Sequence, residues 1–484
     1  MEDREKEKQK KVKAYQAGDI DWYEDEFLDL NLGDKRLDMR LGIIMKYRMQ
    51  SPNSSIPDSF VSWAKTKGAY RFFSNDKADP ELIMNSHKNS TIKRLKDNKI
   101  ILAPQDSTDI AYSNHKETQG LGYVNDSESA IGYHYHPTLA VTVEGTPLGI
   151  LDSQVWVRET LNKGKTKKEK YNEKKYTPIE QKESNKWLKS YQKLCEIEKN
   201  NHQDFHLVSV CDREADIFEL FNEHAKITNE YKPDLLVRAK SDRVISEGTE
   251  KKLFDELNNH EEFAEYEIIV PRKKNTPPRE TTLRVKFKEV NIEPPTSLLN
   301  RSTYSKIKLY AVTTNEVNTP KGVEPVHWFI LTTIPVLNYE DAFEKIEWYR
   351  QRWVIEVFFK TLKSGCNIED YQLHTFERLK RVLAIDSIIA WRILFLTTIG
   401  REYPDLPASV IFEEHEWKAL YAIIHMTKDV PNEVPKLSVV MRQIGQLGGH
   451  LGRKSDGYPG ILTISKGLYK LYSISIVWKL LTYG

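Results

Sequence analysis

The alternation of apolar and polar positions divides the chain into three textures. From Trp22 to about Asn75 the period is helical. Asn31-Leu32-Gly33-Asp34 reads as a cap, and Leu37, Leu41, Ile44 and Met45 recur on one face of the helix that follows. A Pro/Ser loop (SPNSSIP) leads to a second helix through Trp63, Ala64, Tyr70 and Phe72. At Lys99 the texture changes. KIILA is a short buried strand that runs out into QDSTDIAYS, so Asp106 falls just past its carboxyl end. TLAVTVEG and PLGILDSQVWVR alternate around a Gly-containing turn and predict a hairpin. A helix from Glu180 to about Lys199 leads into LVSVC. This is the continuous apolar run of a buried parallel strand, with Asp212 at its end and a helix directly after. DLLVRAK is a further strand.

Between about 242 and 327, EYEIIVPRK, TLRVKFKEV and KIKLYAVTT alternate with period two between Pro- and Asn-rich turns, which predicts an all-β insertion. HWFILTTIP then returns to a buried-strand texture. The run Val382 to Ile399 is the most apolar, yet Asp386 and Arg392 interrupt it, so it reads as a core helix and not a membrane span. The tail from about Glu402 carries helical stripes that include Leu447, Leu451, Leu471, Ile474, Val477 and Leu480. No internal repeat is present.

The stretch that gathers most chemistry is YRQRWVIEVFFKTLK, Tyr349 to Lys363. On one helix, Tyr349, Arg352, Glu356, Lys360 and Lys363 fall within about 80° of one another, while Val354, Ile355, Phe358 and Leu362 face the other way. A solvated face laced with Arg352/Glu356 and Glu356/Lys360 pairs has the same pattern. Asp106 equally suits an Asx turn, and Asp212 an N-cap with Arg213 and Glu214 as surface charge. His134 and His136 in HYHP have strand spacing, and such a pair more often shares a sheet face than a metal. If the three acids converge, however, two hard divalent ions about 4 Å apart can sit among them, the usual device for in-line phosphoryl displacement.

Composition narrows these choices. In 484 residues, Lys+Arg 72 against Asp+Glu 70 leaves a net charge of only +2, so a polyanion has to be met by local basic patches. One such patch is the N-terminal helical unit, with Lys35, Arg36, Arg40, Lys65, Lys67 and Arg71. The length predicts two or three domains. Cys195, Cys211 and Cys366 are scattered, which predicts a reducing compartment without disulfides or structural zinc. The charged opening MEDREKEKQKKVK is expected to be disordered and lacks the apolar core of a signal peptide.

YRQRWVIEVFFKTLKSG resembles the Y-(2)-R-(3)-E-(6)-K signature of the insertion-sequence-four family of bacterial DDE transposases. VCDREADI and QDSTDIAYS resemble the segments around that family's two catalytic aspartates. GDKR, KGAYRFF, QKESNKW, LLVRAK, HWFILTTIPV and QLGGHLGRKSDG extend the resemblance in order along nearly the whole chain. The lysine-rich loop Lys163 to Lys175 is longer and more basic here than in the family, and the N-terminal unit keeps GDKR but differs around it.

The resemblance implies an α/β fold with a ribonuclease H-like catalytic core, a mixed sheet flanked by helices, and an all-β insertion. Helical N-terminal and C-terminal domains accompany it. The expected domains are DNA binding over 1–80, catalysis over 81–400 with the insertion at about 242–327, and dimerisation over 401–484. Asp106, Asp212 and Glu356 become the expected catalytic metal ligands, holding two Mg²⁺ per site with Mn²⁺ as a substitute. Tyr349, Arg352, Lys360, Lys363 and Arg238 become expected DNA contacts, Trp328 the stacking platform for a flipped base, and Arg36 and Arg40 contacts of the N-terminal domain. The implied activity is cut-and-paste transposition, in which inverted ends are paired by a homodimer, cleaved through a hairpin and joined to target DNA. The expected setting is cytoplasmic, on the nucleoid when DNA is bound and away from membranes. A homologue that only binds DNA would have been free to lose these acids, and a plain two-metal nuclease would not need the additional helical domains.

Overall fold

A computed structural model describes residues 22–60, 62–115, 117–125, 129–158, 166, 169, 176–228, 231–270, 278–298, 300–453 and 456–482. The polar lead-in and nearly all of the lysine-rich loop at 163–175 lie outside these residues. The chain divides into two compact units. One comprises Met1–Asn98, Ser107–Leu161 and Val354–Gly484, and the other Lys99–Asp106 and Asn162–Trp353.

Among the described residues, the discontinuous second unit is built on seven strands. These are β1 (Ile100–Gln105), β6 (His206–Cys211), β7 (Asp234–Arg238), β8 (Ala264–Val270), β9 (Arg279–Ile292), β10 (Ile307–Glu316) and β11 (His327–Thr332). Their order across the sheet is β1-β6-β7-β11-β10-β9-β8. β1, β6 and β7 run parallel, and the remaining pairings are antiparallel. The parallel strands are the continuous apolar runs of the sequence, buried on both faces as that arrangement requires. Helices Asn185–Asn201, Phe218–Lys226 and Leu253–Asn259 cover the sheet. Trp187, Tyr191, Phe218, Phe221, Leu253 and Leu257 from these helices close a core against Leu235, Val237, Leu309 and Leu331. The region 242–327 is strand-rich as its alternation predicts, and it also contains the short helix Leu253–Asn259. Its strands continue this same sheet beyond β11.

The first unit surrounds the helix Phe376–Glu402, whose apolar window is 89% buried. That burial accounts for the hydropathy of the run: it is core. Trp391 on this helix donates its indole N–H to the Pro147 carbonyl at 2.9 Å. The strands β2 (Thr108–Ala111), β3 (Gly122–Tyr123), β4 (Ile131–Thr142) and β5 (Pro147–Trp156) belong here, with β4 and β5 forming the hairpin. In the helix Lys35–Gln50, capped by Asp34, the stripe Leu37, Leu41, Ile44 and Met45 is buried.

That stripe continues into Arg48, which is also fully buried. Two of its nitrogens, Nε and Nη2, lie 3.1 Å from the Asp386 carboxylate, and the third, Nη1, donates to the carbonyls of Ser51 and Ser54. Burial works against its charge, but Asp386 more than offsets this and pushes the guanidinium pKa up. A buried pair of this kind fixes one arrangement of the helices; removing either partner alone costs about 3–5 kcal/mol.

Parallel strands flanked by helices in one unit, with the antiparallel β2–β5 group and helical N- and C-terminal regions in the other, are the elements of a ribonuclease H-like α/β fold.

Candidate active site

Strand register assembles the first half of the site. Gln105 on β1 lies beside Cys211 on β6, and Cys211 lies beside Val237 on β7. The next residue on each strand is Asp106, Asp212 and Arg238. Two carboxylates and a guanidinium therefore stand abreast at the carboxyl end of three parallel strands, where open α/β sheets carry their chemistry. Nothing local in the sequence specifies this alignment.

Each acid is held by a neighbour. Asp106 accepts from Arg352 Nη1 at 3.2 Å, with both side chains mostly buried. Asp212 Oδ1 accepts the Glu214 N–H at 2.8 Å and caps the short turn Arg213–Ala215. The cap reading of Asp212 thus holds alongside its place at the strand end, because the cap engages one oxygen and fixes the orientation of the carboxylate. Cys211 beneath them is buried, which pushes its thiol pKa up to about 12, and it stays protonated.

A cluster of cations and aromatics completes this edge. Tyr349 is buried, which raises its phenol pKa; Arg352 and Arg238 pull the other way and Asp212 adds to the rise. Arg238 Nη2 donates to the His327 carbonyl at 3.1 Å. Burial lowers the Arg238 pKa, Tyr349 opposes this, and Arg213 and Arg352 add to the depression. Arg213, Arg238 and Arg352 thus repel one another at this edge of the sheet. Sequence reasoning left Arg213 among surface charges; its position directly after Asp212 was the available signal. Trp328 lies half-buried on β11 with its ring edge-on to Tyr349, centroids 5.5 Å apart.

Glu356, Lys360 and Lys363 belong to the other unit, and the division falls between Trp353 and Val354. The single helix expected from Tyr349 to Lys363 is broken. Helix Tyr339–Arg350 ends in a tight turn in which Gln351 and Arg352 bond three residues back instead of four. A new helix, Trp353–Lys360, follows, and a π-helical turn covers Thr361–Gly365. Overwinding at one end and underwinding at the other replace the uniform 100° step that put five residues on one line.

Ile355, Phe358 and Leu362 are buried as expected, Glu356 is half-buried and Lys360 is exposed. The Lys363 ammonium donates to the Asp109 carbonyl at 2.5 Å and lies 3.5 Å from the Glu369 carboxylate. Arg36 and Arg40 sit apart on the helix Lys35–Gln50. Arg36 pairs with Asp34 at 2.9 Å, and Arg40 crosses Gly68, where an added Cβ would lie 2.3 Å from its Nη1.

Among the described residues, no three of His, Cys, Asp and Glu form a ready metal cluster. The neighbouring carboxylates of Asp106 and Asp212 offer only hard oxygen donors. That chemistry suits Mg²⁺ or Mn²⁺, and Glu356 is a donor of the same kind.

Three family models match the chain. Residues 19–78 match a transposase DNA-binding model, residues 231–391 a transposase DDE domain, and residues 388–477 the Transposase Tn5 dimerisation domain. The DDE match takes in Tyr349, Arg352, Glu356, Lys360 and Lys363, while Asp106 and Asp212 precede it. One solved structure, titled as the cryo-EM structure of the piggyBac transposase synaptic complex with hairpin DNA, aligns over 83% of this chain and 77% of that one. Its identity of 11% and TM-score of 0.35 are too low to bear on chemistry. A DDE domain acts on DNA and depends on divalent metal. With a transposase DNA-binding region before that domain and a Tn5-type dimerisation region after it, the chain belongs to the DDE transposases.

Proposed function

We propose that this transposase moves its element by cut and paste. Its N-terminal region (1–80) binds the inverted ends, its central region (81–400) cuts them, and its tail (401–484) pairs two subunits on two ends. The observation that carries the reading is the alignment of Asp106, Asp212 and Arg238 at one sheet end, beside Tyr349, Arg352 and Trp328. Asp106, Asp212 and Glu356 are the proposed metal ligands. Two Mg²⁺ ions, or Mn²⁺ in their place, would activate the attacking oxygen and stabilise the leaving 3′ oxygen when bound there.

The remaining residues hold DNA. Arg352 and Arg238 can grip a phosphate through paired N–H groups, Lys363 and Lys360 act as point charges, and the Tyr349 phenol donates a hydrogen bond. Arg36 and Arg40 contact the ends through the N-terminal helices. The freed 3′ hydroxyl then attacks the opposite strand to make a hairpin. This bends the duplex sharply, and Trp328 stacks on the base that is extruded. Reopened 3′ ends attack target DNA. The exposed apolar residues Val477, Leu480 and Leu481 at the end of the last helix support the pairing role of the tail.

Replacing Asp106, Asp212 or Glu356 singly with Ala is expected to cut nicking of labelled end DNA by about a thousandfold, the scale of several kcal/mol of lost charge stabilisation. End binding in a gel shift should survive. Substantial Mg²⁺-dependent nicking by Glu356→Ala would remove it from the ligand set.

A further inference from the structure

Three residues past Asp106, Asp109 lies on the four-residue edge strand β2, opposite His134 on β4. β2 lies close on β4, since a Cβ at Gly132 would come within 1.9 Å of the Ile110 carbonyl oxygen. His134 donates its Nδ1–H to the Asp109 carboxylate at 2.7 Å. Its ring is buried and stacks on Trp156, with centroids 5.3 Å apart and planes 24° from parallel. The other nitrogen, Nε2, is buried and has no hydrogen-bond partner among the described residues. The ring is thus anchored through Nδ1, while Nε2 faces the interior. Burial pushes the Asp109 carboxyl up, but His134 and the charges of Arg158 and Lys363 outweigh it and hold the group ionised.

The outer edge of the same strand is tied to the segment after Glu356. The Asp109 carbonyl accepts from the Lys363 ammonium at 2.5 Å. Glu369, 3.5 Å from that ammonium, also accepts the Ala111 N–H at 2.9 Å. Edge strands expose such groups, and here they grip a lysine. A lysine head on four rotatable bonds is otherwise costly to aim. One hydrogen bond to the Asp109 carbonyl and the nearby charge of Glu369 settle that cost before DNA binds.

We propose that Asp109 and His134 are positioning residues for Lys363. His134 fixes the Asp109 side chain, which fixes the Asp109 peptide, and its carbonyl sets the ammonium for a DNA phosphate. This rests on the phosphate role proposed above for Lys363.

The test is single-turnover cleavage of labelled end DNA by the full-length protein with Mg²⁺. His134→Phe keeps the ring on Trp156 and loses the donor, whereas His134→Asn keeps a donor near the Nδ1 position. Lys363→Ala and His134→Phe should each slow cleavage, the latter about tenfold, within the range a misplaced group costs. His134→Asn should cleave near normally, and the double variant His134→Phe/Lys363→Ala should be no slower than Lys363→Ala. The salt dependence of end binding should weaken alike in both single variants.

Asp109→Ala, at a side chain 52% exposed, repeats the coupling measurement should His134→Phe prove unfolded in a thermal melt. Rates that multiply in the double variant, or Asn as slow as Phe, would overturn the inference. Slow Lys363→Ala with normal His134→Phe and Asp109→Ala would overturn it alone. Normal cleavage by Lys363→Ala would overturn the phosphate role of Lys363 and this inference together.

Discussion

At Trp328 strand β11 leaves the core. Ile330 and Leu331 are fully buried, Phe329 stacks on Phe254 with ring centroids 4.0 Å apart, and Trp328 is half-exposed against the edge of Tyr349. A tryptophan flanked by Phe, Ile and Leu would ordinarily be packing, yet its neighbours here fill the core without it. In the proposed hairpin route, a stacked base can return about 1–3 kcal/mol, roughly tenfold or more in that one step. Trp328→Ala should therefore nick near normally and accumulate nicked ends without hairpins, with Trp328→Phe milder. A time course on denaturing gels separates the two products. Equal loss of nicking and hairpin, together with a lower melting temperature, would make Trp328 a support for Tyr349 and nothing more.

Among the elements, strands were more legible than the signature helix. β1 and β6 announce themselves because a strand buried on both faces is an apolar run, and each run stops at an acid. The register that aligns Asp106, Asp212 and Arg238 is a long-range pairing that no window of sequence contains. The charged line from Tyr349 to Lys363 assumed one uniform helix, and the tight turn at Arg352 and the π turn at Lys363 depend on packing. Likewise HYHP shows two histidines on one sheet face, but Asp109 becomes the partner of His134 only once β2 pairs with β4. Long helices also place groups at their ends that sequence does not flag. Glu402 closes the helix Phe376–Glu402 at its negative pole, takes a hydrogen bond from Thr146, and is pushed by burial from its usual 4.5 up to about 7, with Glu144 adding to the rise. The folded state then binds this proton more tightly than the unfolded chain. Stability contributed by the neutral carboxyl is full below about pH 4.5 and is lost as pH rises towards about 7. Glu402→Gln should raise the melting temperature at pH 8 by about 1–2 °C and leave it unchanged at pH 4. Melts at the two pH values check this, and an equal effect at both would exclude the titration.

For the molecule as a whole, the tail proposed to pair two subunits also belongs to one subunit's own core. Leu437, Val440, Met441 and Ile444 are fully buried, and Met441 and Tyr458 crowd Gly400 so closely that a Cβ there would lie within 2.6 Å of both side chains. Leu471 of the last helix is buried as well, whereas Leu447 and Ile474 are half-buried. Removing everything after about residue 432 would therefore unfold part of the unit that carries Glu356, and the loss of pairing would say little about pairing. Exposed apolar residues of the tail include Met426, Val439, Tyr469 and Ile476, and the most exposed beyond residue 450 are Leu451, Val477, Leu480 at 69% and Leu481 at 79%. Val477, Leu480 and Leu481 lie at the end of the helix Ile461–Thr482 in the order of a helical stripe, with no role in the subunit's own core. Apolar side chains so placed gain by being covered, and a second copy of the same helix end is the occupant that a dimerisation region implies. Val477→Lys/Leu480→Lys leaves every buried residue in place and puts like charges on both sides of the proposed contact. The doubly substituted protein should melt within about 1 °C of the parent, since surface changes of this kind usually cost under about 0.5 kcal/mol. It should still shift single end DNA in a gel, while the slower paired-end complex and coordinated cleavage of both ends disappear. Concerted double-end cleavage at the parent's rate would place the pairing surface elsewhere on the tail.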